Sequence, residues 1–166
     1  MADMRNSGAT IRRAGMSDAP ALARLRWLWR TAEREEHGLS QSAFEATFAE
    51  WWGRREESHT AYIAERGHEA VGMAWLAVFD RIPQPRDVVR LAGNVQSVYV
   101  LSELRNQGIG KVLVEAVIRE ARALGVGYLI VHPSQRAYPL YERLGFTRTD
   151  TLLHMDLEKG LPAQPE

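Results

Sequence analysis

Two stretches of this chain carry residue types at spacings that could do chemistry. The first is Arg105-Asn106-Gln107-Gly108-Ile109-Gly110-Lys111, where a β-rich run passes through a basic, glycine-containing loop into an apolar-periodic segment. Glycine at 108 and 110 removes side chains from the loop, so backbone N–H groups can approach a phosphate. The first turn of the following helix adds its unpaired donors and positive dipole end, and Arg105 and Lys111 supply charge. Spacing separates the known phosphate-binding motifs. A Walker loop needs Gly at position 105 and Ser or Thr at 112, where this chain has Arg105 and Val112. A dinucleotide fingerprint needs a third glycine at 113, which is Leu113. What remains is Arg-x-x-Gly-x-Gly on a strand-to-helix turn.

The second stretch is Ser134-x-x-Ala137-x-x-Leu140-Tyr141-Glu142-Arg143-Leu144-Gly145-Phe146. On sequence chemistry alone Tyr141 reads as the core aromatic of a short helix. Other titratable groups are dispersed. His132 follows an apolar run and could titrate near neutrality, although a lone histidine at a strand end is more often structural. Glu33, Glu35 and Glu36 form an acidic cluster that is more often a solvated face than a cation site. The five histidines are scattered and no spacing suggests a metal.

The elements that must position these groups follow from periodicity. Thr10 to Arg13 reads as a short strand, and a helix starts near Ser17-Asp18 with Pro20 and runs to about His37-Gly38. A second helix begins at Ser40 or Ser42, with Phe44, Phe48, Trp51 and Trp52 at near-helical spacing and Gly53 near its end. Thr60–Glu65 and Ala70–Phe79 read as a hairpin turned at Arg66-Gly67-His68. The second of these strands is apolar on both alternating sets, so it belongs in the sheet centre with both faces covered. Asp80 to Ala92, with Pro83 and Pro85, reads as a mobile loop. Asn94–Val100 returns as a strand into the glycine loop. In the following helix Ile109, Val112, Leu113, Ala116, Val117, Ala121 and Leu124 share one face, and Gly125 caps its end. Tyr128–His132 is then a strand parallel to the previous one. A short helix follows with Pro139 at its first position, and Thr151–Leu157 alternates as a last strand.

At 166 residues, 45% hydrophobic and 25% charged, the chain suffices for one well-buried core. Lys plus Arg equals Asp plus Glu at 21 each, so net charge gives no pointer to nucleic acid or to an anionic membrane. There are no cysteines, which excludes disulfides, thiolate metal sites and a cysteine nucleophile. No apolar run approaches the ~18 residues of a membrane span, and Met1 to Ala9 lacks the apolar core of a signal peptide, so a cytoplasmic protein is expected.

The element order β-α-α-β-β-β-α-β-α-β, with both stretches on their expected elements, resembles the GNAT superfamily of N-acetyltransferases. Arg-x-x-Gly-x-Gly resembles that family's acyl-CoA pyrophosphate loop. The second stretch resembles its Asn-x-x-Ala-x-x-Leu-Tyr-x-x-x-Gly-Phe signature, with Ser134 in place of Asn; Ser102 stands where Pro is frequent ahead of the loop. The resemblance covers Thr10 to Leu157, most strongly Val98 to Phe146. It implies an α/β (α+β) fold: a mixed, mostly antiparallel sheet with one splayed parallel strand pair and helices on both faces. A single acetyltransferase domain would occupy 10–157, between a loose segment 1–9 and a tail 158–166.

The resemblance further implies acetyl-CoA as cosubstrate. Pantetheine amides would pair with the strand edge at Val98 and Val100. Arg105, Asn106, Gln107, Gly108, Ile109, Gly110 and Lys111 would hold the pyrophosphate, and Ser134 and Tyr138 the cofactor arm. Tyr141, a phenol of ordinary pKa about 10, would protonate the departing thiolate, with Tyr138 as fallback. The acceptor would be an amine of a small molecule or peptide, bound by the first two helices and the 81–91 loop. Glu33, Glu36, Gln96 and His132 are the candidate acceptor residues. Asn94 and Gln96 cannot take a proton, so the general base would be a water chain ending at His132, Glu33 or Glu36. A monomer or homodimer is expected; a non-catalytic acyl-CoA-binding module and an O-acetyltransferase are the alternatives.

Overall fold

A computed structural model of the chain describes residues 8–31 and 38–155. The chain forms two compact units that divide between Pro133 and Ser134. The first carries a five-stranded sheet in the order β1-β2-β3-β4-β5, with β1 Thr10–Arg13, β2 His59–Arg66, β3 Glu69–Asp80, β4 Leu91–Val100 and β5 Val126–Val131. Every neighbouring pair is antiparallel except β4 and β5, which are parallel. The expected hairpin and parallel crossover are therefore present.

Helix α1 spans Ala19–Thr31 and α2 Gln41–Gly53. The Ser40 hydroxyl accepts from the Ala43 amide, so Ser40 starts α2 by satisfying one of its orphan donors. Asp18, expected at the start of α1, closes a 3₁₀ turn instead. Its carboxylate accepts from the Gly15 amide and holds Arg12 at 2.7 Å. The predicted continuation of α1 to residue 37 lies outside the described residues. Both helices cover one face of the sheet, where Leu22, Leu25 and Trp52 pack with Met73 and Trp75 of β3. Trp52 and Trp75 therefore make core here: Trp75 receives Phe48 and Trp52 edge-on at 5.7 and 5.1 Å.

Helix α3, Ile109–Ala123, covers the other face and buries Ile109, Leu113, Val114, Ala116, Val117 and Ala121. Leu124, assigned to that face by periodicity, is instead 46% exposed just past the helix end, where Gly125 turns at φ +73°. Gly72 of β3 exists for this packing. A Cβ there would stand 3.0 Å from the Tyr99 carbonyl oxygen and 3.2 Å from Leu113 Cδ1. β3 is buried over most of its length, as its two apolar faces demand.

The loop 81–90 departs from the mobile segment expected of two prolines. The Arg81 amide donates to the Arg90 carbonyl at 2.7 Å, Arg90 Nη1 donates to the Ile82 carbonyl at 2.8 Å, and Gln84 bridges to Asp87. These bonds tie its base into a continuation of the β3–β4 hairpin.

The second unit contains a 3₁₀ turn at Gln135–Ala137 and helix α4, Tyr138–Arg143, which opens with Pro139 in its first turn. The last strand predicted for 151–157 is not formed over 151–155, and 156–157 lie outside the described residues. Leu153 and Met155 are 94% and 66% exposed, so alternation was present without a pairing partner to make it a strand.

Candidate active site

The register of β3 against β4 builds the first feature. Met73 pairs with Tyr99 and Trp75 with Gln96, so Ser97 and Val98 together oppose the single residue Ala74. This is a β-bulge, and Ser97 sits in it at φ +49°, a left-handed conformation that a non-glycine residue holds only when its surroundings fix it. The surroundings are on α1: Arg26 Nη1 donates to the Ser97 hydroxyl at 3.1 Å, its guanidinium lies 4.9 Å over Trp29, and Trp29 stacks on Tyr99. Sequence reading missed this latch. One signal was available: the apolar alternation of β4 changes phase between Val95 and Val98, which a one-residue bulge requires.

Beyond the bulge β4 parts from β5. Their pairing runs Leu91–Val126, Gly93–Leu129, Asn94–Ile130 and Val95–Val131, and then stops. Residues Gln96–Val100 continue along β3 with no β5 partner. The Leu101 amide bonds to the Val71 carbonyl at 2.9 Å, so in antiparallel alternation the backbone groups of Val100 turn away from β3, into the gap. The splay expected at Val98 and Val100 is thus a consequence of register. His132, one residue past Val131, and Gln96, one past Val95, stand together where the pairing ends, and both are exposed. Glu33 and Glu36 lie outside the described residues.

The glycine loop follows directly. Asn106 and Gly108 take φ of +62° and +82°, and Gly108 is the N-terminal cap of α3. The first bond of the helix is the Val112 amide to the Gly108 carbonyl at 3.2 Å. The amides of Gly108, Ile109, Gly110 and Lys111 are therefore the four that an α-helix cannot satisfy internally. A Cβ on Gly108 would meet nothing within 4 Å, so the space beside it is open and its φ alone explains the glycine. Ile109 is buried and anchors the turn, leaving its backbone as its contribution. Charge is arranged less simply than the sequence suggests. Arg105 Nε donates to the Val100 carbonyl at 3.2 Å and its guanidinium lies 5.7 Å from the Tyr99 ring centroid. Its two Nη groups keep their donors for another acceptor. Lys111 lies 3.7 Å from Glu115 one turn on, and the Gln107 amide nitrogen donates to the Glu103 carbonyl.

In the second unit Tyr141 is 5% exposed and meets Phe146 edge-on at 5.3 Å. Burial pushes its phenol up to about 12. Among the described residues no fully buried side-chain oxygen lacks a partner, and the Tyr141 hydroxyl makes no hydrogen bond to them. The ring is therefore enclosed while its oxygen reaches an accessible surface. Tyr138 is covered by Arg148, whose guanidinium lies 4.5 Å over the ring and is held by Glu142 at 3.1 Å. Ser134 precedes the 3₁₀ turn, and its hydroxyl makes no capping bond.

Among the described residues no helix is long and apolar enough to cross a membrane, and no group of three or more His, Asp or Glu could hold a metal ion. The profile of the acetyltransferase (GNAT) family matches residues 21–146. A glucosamine 6-phosphate N-acetyltransferase of Trypanosoma brucei brucei is 31% identical over 68 residues, which is 41% of this chain and 46% of that protein. The match thus spans less than half the length of that relative. Among solved structures, a predicted acetyltransferase with acetyl-CoA from Clostridium acetobutylicum superposes with a TM-score of 0.76 at 20% identity, over 91% of this chain and 97% of its own. Glucosamine-6-phosphate N-acetyltransferase from Arabidopsis thaliana superposes with a TM-score of 0.69 at 18% identity, over 89% and 97% respectively.

Proposed function

Because the chain belongs to the acetyltransferase (GNAT) family, we propose that it transfers the acetyl group of acetyl-CoA to a primary amine by direct attack in a ternary complex. The observation that carries this reading is the end of β4–β5 pairing at Val95, immediately ahead of a loop whose helix-terminal amides are open. An amide-bearing arm pairs with an open strand edge at Val98 and Val100. A pyrophosphate takes the amides of Gly108 to Lys111, with the Nη groups of Arg105 and the charge of Lys111 adding to the helix dipole. Asn106 and Gln107 shape the turn, and Ser134 and Tyr138 contact the cofactor arm.

In the reaction the acceptor nitrogen forms a bond to the acetyl carbon and the carbon–sulfur bond breaks. Tyr141 gives its phenolic proton to the departing sulfur. A phenol pushed up to about 12 stays protonated at any working pH, so it remains a donor as negative charge builds on sulfur. Gln96 and Asn94 orient the acceptor and its water, since neither can take a proton. The proton lost by the nitrogen leaves through water toward His132, Glu33 or Glu36. The name of the partial relative from T. brucei supports including amino sugars and their phosphates among the acceptors tried.

The test is an amine panel incubated with acetyl-CoA and read by release of CoA thiol, with product mass as the second readout. Acetylated amine with stoichiometric thiol is expected. Tight acetyl-CoA binding with no transfer to any amine would make the protein a binding module.

A further inference from the structure

The face of the sheet that carries α1 and α2 is left open on its β4–β5 side. Directly opposed residues share a face, so the pairs Trp75–Gln96, Ala77–Asn94 and Phe79–Ala92 put Gln96 and Asn94 on the side that bears Trp75. On β5 the Leu129 side chain reaches the α3 side of Gly93, coming within 2.7 Å of where its Cβ would be, so its neighbours Tyr128 and Ile130 point to the opposite face. Gln96 is exposed, Tyr128 is 44% exposed and Phe79 is 45% exposed. A shelf therefore runs from the splay point at Gln96, level with His132, down to Tyr128, four residues and ~13 Å along the strand.

At the far end of this shelf stands Arg81, with its guanidinium 4.9 Å over the Tyr128 ring. Several cations elsewhere in the described residues are matched by carboxylates: Arg12 by Asp18 and Glu65, Arg13 by Glu120, Arg24 by Glu69, Arg90 by Asp87. No carboxylate of the described residues lies within ion-pair distance of Arg81. Its backbone is fixed by the bond to Arg90, and its side chain is fixed by the ring, so its planar donors are arranged before any ligand arrives. Such an arginine suits bidentate recognition of phosphate or carboxylate without an ordering cost.

We propose that Arg81, held on Tyr128, is the anion-recognition residue of the acceptor site, and that the acceptor is an amine carrying a phosphate or carboxylate within ~13 Å of the reacting nitrogen. The proposal rests on the acetyl-transfer reading above and adds the class of substrate. Phe79 and Tyr128 line the path between the two ends, and the amine reaches the splay point beside Gln96 and His132.

The experiment compares matched acceptors: amino sugar phosphates against the amino sugars, aminoalkyl phosphates against amino alcohols, and ω-amino carboxylates against their amides. Wild-type protein should prefer the anionic member by kcat/KM, and the phosphate and carboxylate arms tell which anion it prefers. Arg81→Gln should reduce the anionic-to-neutral ratio ~10-fold or more, chiefly through KM, with Arg81→Lys restoring part of it and the preference falling as salt rises. An equal preference in wild-type protein, or an unchanged ratio in Arg81→Gln, would overturn the assignment of Arg81 while leaving acetyl transfer in place. Failure of wild-type protein to acetylate any member would overturn both. Circular dichroism and the acetyl-CoA affinity of each variant distinguish a lost subsite from a lost fold.

Discussion

Replacing Gly108 separates what the glycine does for the fold from what it does for the cofactor. At φ +82° an alanine pays the left-handed penalty of ~1–2 kcal/mol, and because its methyl would touch nothing within 4 Å no steric cost is added. Asn and Asp tolerate this conformation better, so Gly108→Asn and Gly108→Asp should lose less stability than Gly108→Ala in urea unfolding. Cofactor binding should order them differently. The open space beside Gly108 is where the pyrophosphate is proposed to lie, and the Asp carboxylate would stand ~5 Å from it. At an effective dielectric between bulk water and a protein surface, one such repulsion costs ~1–3 kcal/mol, or ~5- to 150-fold in affinity. Calorimetric titration with acetyl-CoA should therefore rank Gly108→Asp well below the isosteric Gly108→Asn, with a gap that closes as salt is added. Folded Asn and Asp variants with the affinity of the wild-type protein would refute the loop as the anion seat.

Tyr141→Phe keeps the ring against Phe146 and removes only the hydroxyl. Single-turnover transfer should fall ~10²-fold with acetyl-CoA affinity little changed, and the wild-type pH profile should show no limb from this phenol below about 12. A wild-type rate in this variant would move the acid role elsewhere. Arg12→Ala should cost ~1–3 kcal/mol in denaturant unfolding, because Asp18 and Glu65 lose charge-assisted bonds of 2.7 and 2.6 Å. Arg12 holds the Asp18 carboxyl below its ordinary value, so the stability it supplies is present above the unfolded pKa near 4 and is lost as pH falls through the lower folded value. The variant should accordingly show a shallower acid slope than the wild-type protein. Gly72→Ala should destabilise by ~1–3 kcal/mol, since the backbone carbonyl of Tyr99 at 3.0 Å cannot step aside as a side chain would; an unchanged unfolding midpoint would refute that packing argument.

What the sequence settled was local. Ser40 announces α2 because a hydroxyl can reach an amide three residues on, Gly125 ends α3 because few other residues turn at φ +73°, and Pro139 sits in the first turn of α4, one residue after its start at Tyr138, because that turn does not need the N–H it lacks. β3 was recognisably central because both its alternating sets are apolar. The glycine loop was visible for the same reason, as a run whose backbone must do the work of side chains. Tertiary structure decided whatever depends on a partner distant in sequence. Alternation over 151–157 did not become a strand over its described part, because alternation alone supplies no hydrogen-bonding partner. The departure of β4 from β5 is set by the register of two strands separated by α3 and by the bulge at Ser97, which Arg26 of α1 stabilises from 71 residues away. Arg105 read as a cation for the loop, yet its Nε went to the Val100 carbonyl, because a strand edge turned from its neighbour leaves an acceptor that must be satisfied. The 81–91 loop was expected beside the acceptor, but nothing in it singled out Arg81 or tied it to Tyr128, because only the pairing of β3, β4 and β5 brings the cation onto the ring.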